Sequence, residues 1–504
     1  MMETLFWDHL LSWIIFTPAL GVLTLAFVKN PNAVRLTALG VTLMSFLLSV
    51  VLWFHFDRTQ SGMQFVERAE WMPTFNIQYA VGVDGISLLL VMLTTLLSPL
   101  CVLCSWYSIQ ERVKAFMMLI LLVESAMLVV FTALDLFLLF MLWETTMIPM
   151  YFMITLWGGP RRSTAGIKFV IYSIVGSLFL LVGILALYLE GGRTFDMMVL
   201  ITQTYTEATQ FWIFLALFLA FAIKLPMFPF HTWLPDAHAE APTAGSVILA
   251  GILLKMGGYG FLRLCLPMFP EALVTFTPLV LWLSIAAIIY GGYMALAQAD
   301  LKRLIAYSSI SHMGFVTLGI FVFNRQGIEG AVLQMFNHGI TTGALFLAVG
   351  LLYDRTHKRM IADYGGLHKP MPRFVTFFFI FSLASFGLPG MNNFISEFLI
   401  LVGTSLQSFT LVLLAIGGIL LAASYMLWMM QRVAMGQIKH EGNASLPDLT
   451  PRETMTLIPL AILIFWIGLY PQPFFELMDA SVSHLLEHSQ GVQALPSLSE
   501  ANLP

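Results

Sequence analysis

Charge is scarce in this sequence. Asp, Glu, Lys and Arg make up 10% of the 504 residues, while 59% are hydrophobic. A soluble domain carries about 25% charged residues, so a water-facing surface is excluded for most of the chain and the surrounding solvent must be lipid. The net charge of -4 gives no basic surface, and no nucleic acid is expected as a partner. Cysteine is almost missing too: Cys101, Cys104 and Cys265 lie inside or at the edge of apolar runs. The first two have the spacing of half a zinc site, but no second pair completes a tetrahedral set, so buried structural thiols are expected. Glycine-rich phosphate loops and haem motifs are lacking as well, and the chain is expected to hold no metal and no redox cofactor. The N-terminus has neither the basic stretch nor the small-residue cleavage site of a secretory signal, so the first span is expected to remain as a helix.

What is present is a long series of apolar runs. A helix needs about 20 apolar residues to cross about 30 Å of hydrocarbon, and bare backbone is not tolerated there, which makes helices the economical choice. Runs of that length fall near 10–28, 33–56, 84–106, 115–133, 134–157, 167–189, 211–234, 243–266, 274–297, 303–323, 328–352, 374–404, 408–431 and 454–472. The expected fold is an all-α polytopic membrane protein of about fourteen transmembrane helices. Seventeen of the 24 Lys and Arg fall in loops on one side and five on the other, with Lys224 and Lys255 inside spans. The richer side is expected in the cytoplasm or matrix, with both termini opposite.

Seven ionisable residues fall near span centres: Glu124, Glu144, Lys224, Lys255, His312, His338 and Glu397. A charge at bilayer depth costs about 2.5–3.5 kcal/mol on insertion scales. A static ion pair accounts for one acid facing one base, but poorly for a mixed series of acids, lysines and histidines. Burial disfavours an ammonium's charged form and a neighbouring carboxylate restores it. If the distance between Glu144 and Lys224 changes, Lys224 becomes a switchable proton carrier, and the series reads as a relay.

Proline interrupts two spans about 160 residues apart: "FAIKLPMFPFHTWLP" at 221–235 and "ASFGLPGMNNFISEF" at 384–398. Such breaks survive at membrane depth only where they are buried in protein or line a hydrated cavity. Paired broken helices point to a transport site built from repeats. The order of these and fainter matches divides the chain into N-terminal helices at 1–114, a first five-helix repeat at 115–266, a second, inverted repeat at 274–431, and a loop, last span and external tail at 432–504. "WLPDAHAEAP" (233–242) gathers His231, Asp236, His238 and Glu240 around a re-entering loop, where a proton funnel or interfacial packing fits better than a metal. Asp300, Lys302 and Arg303 read as a solvated helix start. Ser308, Ser309 and Ser311 are placed to bind water near His312, and Asp84 to cap the third span.

"FLLFMLWETTMIPMYF", "KLPMFPFHTWLPDAHAEAPTAGSVILAGILLKMGGYG", "DLKRLIAYSSISHMGF" and "NNFISEF" resemble the antiporter-like subunits of respiratory complex I over essentially the whole chain. Within that family the resemblance is closest to the M-type branch, the counterpart of mitochondrial chain 4. Lysine is usual in the L- and N-type branches where this chain has Glu397. The resemblance implies two inverted repeats and a hydrophilic central axis. It implies Glu144 and Lys224 as a modulating pair, transfer through Lys255 and His338 to a terminal Glu397, and His312 close by. Glu124 is left as an auxiliary acid or a link to a neighbouring subunit. The implied partners are other complex I subunits, neighbouring antiporter-like subunits on both sides, and membrane lipid. FMN, iron–sulfur clusters and quinone are implied in those other subunits. A bacterial inner membrane is the expected location, ahead of the mitochondrial one. A subunit of a sodium/proton antiporter, a membrane-bound hydrogenase or a ferredoxin-using relative is the alternative.

Overall fold

The computed structural model describes residues 7–488. Two helices, α1 (Leu10–Phe27) and α2 (Pro31–His55), lead into a hairpin of β1 (Gln64–Met72) and β2 (Ile77–Val83). Next come α3 (Gly85–Ser108), α4 (Val113–Thr132), α5 (Leu136–Trp157), α6 (Arg162–Glu190) and α7 (Glu207–Lys224). A short helix α8 (Trp233–Glu240) precedes α9 (Thr243–Met268), then α10 (Pro270–Leu296), α11 (Leu301–Phe321) and α12 (Arg325–Thr356). The chain continues through α13 (Pro372–Ser385), α14 (Asn392–Ser405), α15 (Phe409–Val433), α16 (Pro451–Leu469) and α17 (Gln472–His488).

Among the described residues, thirteen helices are long and apolar enough to span a membrane. The remaining expected span, 374–404, is the pair α13 and α14, fourteen residues each. At 1.5 Å per residue either one reaches only about 21 Å, and Gly387 and Gly390, at φ of 75° and 90°, turn the chain between them. The break expected beyond Lys224 is also present: α7 ends at Lys224 and helix resumes at Trp233.

Three features depart from expectation. The hairpin is an exception to an all-α chain; its strands pair antiparallel with two register shifts, and Asn76 makes the turn at φ 54°. It lies outside the spans, where the segment between α4 and α5 meets the edge of β2: Leu134 N donates to Ala80 O at 2.8 Å and Gln78 N to Asp135 Oδ2 at 3.0 Å. The end of the chain, expected as a plain external tail, forms α17, with Phe474, Leu477, Met478, Ser481 and Val482 buried. That is the period of a surface helix with one apolar stripe; the tail from 489 onward lies outside the described residues. Finally, α9 contains two wide π-type turns, Leu249–Leu253 and Phe261–Cys265.

The centre of the bundle is α9, α11 and α12. Their apolar stretches are 94%, 100% and 100% buried, against 33% for α6 and 28% for α2 at the periphery. Glycine brings α7 onto α9: a β-carbon at Gly257 would come within 2.7 Å of the Phe221 carbonyl oxygen and of Leu225. Small residues at a contact allow this closeness inside a membrane. Loop contacts define two ends. At one, Arg35 Nη2 donates to Ile109 O at 3.0 Å, Lys114 Nζ to Ala26 O at 3.0 Å and Arg355 Nη2 to Glu453 Oε2 at 2.6 Å. At the other, the hairpin end, Arg58 pairs with Glu476 at 2.8 Å, Arg68 with Asp196, and Arg325 with Asp479.

Candidate functional site

Four of the seven predicted residues meet in the centre. The first wide turn of α9 precedes Lys255, whose Nζ donates to the Ala250 carbonyl and sits 2.8 Å from His338 Nδ1 on α12. The His338 ring stands 5.8 Å, centroid to centroid, from that of His312 on α11, at 59°. His312 Nδ1 is 2.8 Å from Glu397 Oε1 on α14. Lys255 and His338 are fully enclosed, and His312 and Glu397 nearly so. A single proton fits between Lys255 Nζ and His338 Nδ1. It belongs to the ammonium in one state and to the imidazole in the other, and both states keep the contact. The same holds between His312 and Glu397. His312 is thus bonded to Glu397 and faces the His338 ring without a hydrogen bond to it.

Side chains not singled out in the sequence support this end. Gln334 Nε2 donates to Glu397 Oε1 at 2.9 Å, and its Oε1 accepts from Ser396 Oγ at 2.5 Å. Asn337 Nδ2 donates to Ser396 Oγ at 3.1 Å and Asn392 O at 2.8 Å. The enclosed Tyr425 hydroxyl lies within electrostatic reach of Glu397 but has no hydrogen-bond partner of normal geometry. A polar residue once per turn of α12, at Gln334, Asn337 and Thr341, was the available signal. Ser308 and Ser309 donate to Ile305 O and Ser311 to Ile288 O, which leaves their hydroxyl oxygens as acceptors.

Glu144 and Lys224 form a second group. Lys224 Nζ lies 5.4 Å from the centroid of the Trp143 ring, and Glu144 is the charge that acts on it, yet the two do not approach within 4 Å. Glu144 Oε1 is buried without a protein partner, as are His338 Nε2 and His312 Nε2. Glu124 stands apart from both groups. It is buried among α2, α3 and α4, with the Ser45 and Ser98 hydroxyls beside its carboxylate.

A family profile described as "NADH:quinone oxidoreductase/Mrp antiporter, TM" matches residues 133–423. The chain is 46% identical to NADH-ubiquinone oxidoreductase chain 4 of Arabidopsis thaliana, over 95% of this chain and 97% of that one. It belongs to this family. It is also 44% identical to NADH-quinone oxidoreductase subunit M of Rhodobacter capsulatus, over 95% and 97% of the two chains. A chain in the structure of respiratory complex I from Thermus thermophilus superposes with a TM-score of 0.87 at 31% identity, covering 96% and 99% of the two chains. The fold is shared with a chain of an archaeal membrane-bound sulfane sulfur reductase, TM-score 0.86 at 23% identity.

In this member of the NADH:quinone oxidoreductase/Mrp antiporter family, the acids of the re-entering segment are engaged by cations at the basic end. Asp236 pairs with Lys168 at 2.7 Å and Arg303 at 3.4 Å; Glu240 pairs with Arg359 at 3.1 Å and Arg161 at 3.6 Å. His238 stacks on Phe346 at 4.9 Å. The expected solvated start of α11 is instead largely covered. Asp300 caps the helix and pairs with Arg359 at 2.7 Å, and Lys302 is buried, donating to Ala241 O at 2.8 Å. The end of α8 and the last turn of α12 close over it, since Lys302 Nζ lies 5.6 Å from the Tyr353 ring. A cavity of about 130 Å³ opens here, lined by Glu240, Thr243, Lys302, Tyr353, Asp354 and Arg359.

Proposed function

We propose that this chain is a proton-translocating membrane-arm subunit of an NADH:quinone oxidoreductase, in which protons move along Lys255, His338, His312 and Glu397. The observation that carries the reading is the series of enclosed titratable groups from Lys255 to Glu397: two hydrogen-bonded pairs, Lys255–His338 and His312–Glu397, whose imidazole rings stand 5.8 Å apart. Buried polar atoms are nearly always partnered, and the unpaired His338 Nε2, His312 Nε2 and Glu144 Oε1 are where bridging waters would extend the path. Glu144 and Lys224 modulate it: shortening their separation strengthens the hold on the Lys224 proton, and lengthening it releases the proton toward Lys255.

The two breaks, beyond Lys224 and between α13 and α14, support the division into inverted repeats at 115–266 and 274–431. In this reading the chain does no redox chemistry; FMN, iron–sulfur clusters and quinone sit in partner subunits, with antiporter-like subunits on either side. The basic end faces the cytoplasm of a bacterial cell and both termini face the periplasm. Moving one charge against 100 mV costs about 2.3 kcal/mol, within the range that rearranging one buried ion pair supplies.

The test is NADH-driven acidification in vesicles holding the whole complex. Lys255→Ala and Glu397→Ala are expected to lower protons moved per NADH by at least half. Unchanged pumping in both would reduce the chain to a structural subunit.

A further inference from the structure

The hairpin end of α9 carries an ion pair that the relay does not use. Lys255, Tyr259 and Arg263 follow one another at four-residue spacing, so they lie on one face of α9 with about 12 Å of rise from first to last. Arg263 Nε donates to Tyr259 Oη at 3.2 Å, and Tyr259 Oη donates to Phe131 O at 3.0 Å. Arg263 Nη2 donates to Asp84 Oδ1 at 2.6 Å. Asp84 is the N-cap of α3, and the same oxygen accepts from the backbone of Ile86 at 3.1 Å and Ser87 at 2.9 Å. Burial pushes the Asp84 carboxyl up, but the Arg263 guanidinium and these amides outweigh it and hold it below the usual carboxylate range. α17 closes the site from outside: Gly85 N donates to Ser481 Oγ at 2.9 Å, and a β-carbon at Gly85 would strike the Leu477 carbonyl.

A cavity of about 190 Å³ reaches this pair from the exposed loop at Ser61 and Gly62. Both partners line that cavity, and Arg263 continues from it through its bond to Tyr259, on the helix face that bears Lys255. No hydrogen bond links Lys255 to Tyr259 among the described residues. A guanidinium held by both Asp84 and Tyr259 sets a fixed positive charge between that cavity and the lysine, which opposes a cation leaving.

We propose that the Asp84–Arg263 pair is the external electrostatic seal of the first repeat, which stops protons on Lys255 from leaking to the outer face. The proposal rests on Lys255 being a proton carrier, as read above.

The test uses the intact complex in liposomes with its quinone site inhibited. Passive proton flux is followed with a trapped pH dye under a potassium diffusion potential. The neutral, similarly shaped pair Asp84→Asn/Arg263→Gln is expected to raise the flux several-fold and at most about tenfold, as removal of a fixed charge about 12 Å along the helix from Lys255 would do at an effective dielectric of about 20, reduced by the partner carboxylate. Arg263→Lys should stay tight. Adding Lys255→Ala to the double variant should return the flux to the wild-type value, which a merely loosened fold would not do. Wild-type flux in the double variant, or a raised flux that persists without Lys255, overturns the seal. If the double variant does not assemble, Arg263→His decides: leak at pH 8.5 with tightness at pH 5.5 supports the proposal, and tightness or leak at both values overturns it. Intact NADH-driven pumping in Lys255→Ala alone would sink the relay reading instead, so the two failures are told apart.

Discussion

Lys255→Met separates proton carrying from structural support more sharply than any other single change. Methionine matches the length of the lysine stem and removes only the nitrogen. In the native chain Nζ makes two contacts, with Ala250 O and His338 Nδ1. Each hydrogen bond from a charged group contributes about 1.5–3 kcal/mol, while holding the ammonium at this depth costs about 2.5–3.5 kcal/mol. Replacing a buried charged group by an apolar one of like volume is often neutral or stabilising, so the net change is expected within about 1 kcal/mol, and detergent-solubilised complex should unfold within a few degrees of wild type. Transport should behave differently. Without Nζ, the first partner of His338 Nδ1 is gone, and the path toward Lys224 is broken in the fully enclosed centre. The assay pairs NADH oxidation with dye-reported acidification in the same vesicles. The expected result is a several-fold fall in protons per NADH at near-native thermal stability. Wild-type stoichiometry would falsify the carrier role, and loss of assembly would mean the ammonium is a fastening element after all.

Glu397→Gln keeps the shape and an acceptor for Gln334 but removes the charge facing His312. At about 4 Å and an effective dielectric of about 20 that charge is worth about 4 kcal/mol, so acidification per NADH should fall by half or more, and an unchanged ratio would exclude Glu397 as a terminus. Gly257→Leu drives a side chain into the Phe221 carbonyl and Leu225; overpacking of this kind costs about 1–3 kcal/mol, read as a lowered melting temperature. Asp84→Ala leaves Arg263 buried and unpaired and is expected to cost about 3–5 kcal/mol, measured as faster hydrogen exchange at the start of α3. Because the folded Asp84 carboxyl is held below its unfolded value, its contribution is complete above about pH 4 and is lost as pH falls through the depressed value. Acid should therefore speed exchange there more in the native chain than in Asp84→Asn.

The spans were readable because lipid imposes one local rule, a long apolar run, and each helix meets that rule alone. The centre was readable for a related reason: an ionisable residue in oil stands out one residue at a time, and Lys224, Lys255, His312, His338 and Glu397 needed no neighbour to be noticed. Less was legible outside the hydrocarbon. The hairpin at Gln64–Val83 and the amphipathic α17 obey weaker water-side patterns, and both were passed over beside stronger apolar signals.

The sequence by itself determined a lipid solvent, the number and rough limits of the spans, the two interruptions, and which ionisable side chains fall at mid-membrane. Only the tertiary structure decided which of them touch. Lys255 and His338 lie 83 residues apart and His312 and Glu397 lie 85 apart, and no local pattern encodes a meeting between helices. It also decided that Lys302 is covered, that Glu124 is isolated among α2, α3 and α4, and that Arg263 is locked to Asp84. The physical reason is the same each time. Insertion energy is a property of one segment, whereas pairing depends on helices brought together by small-residue contacts, such as Gly257 against Phe221, that confer meaning only once both partners are in place.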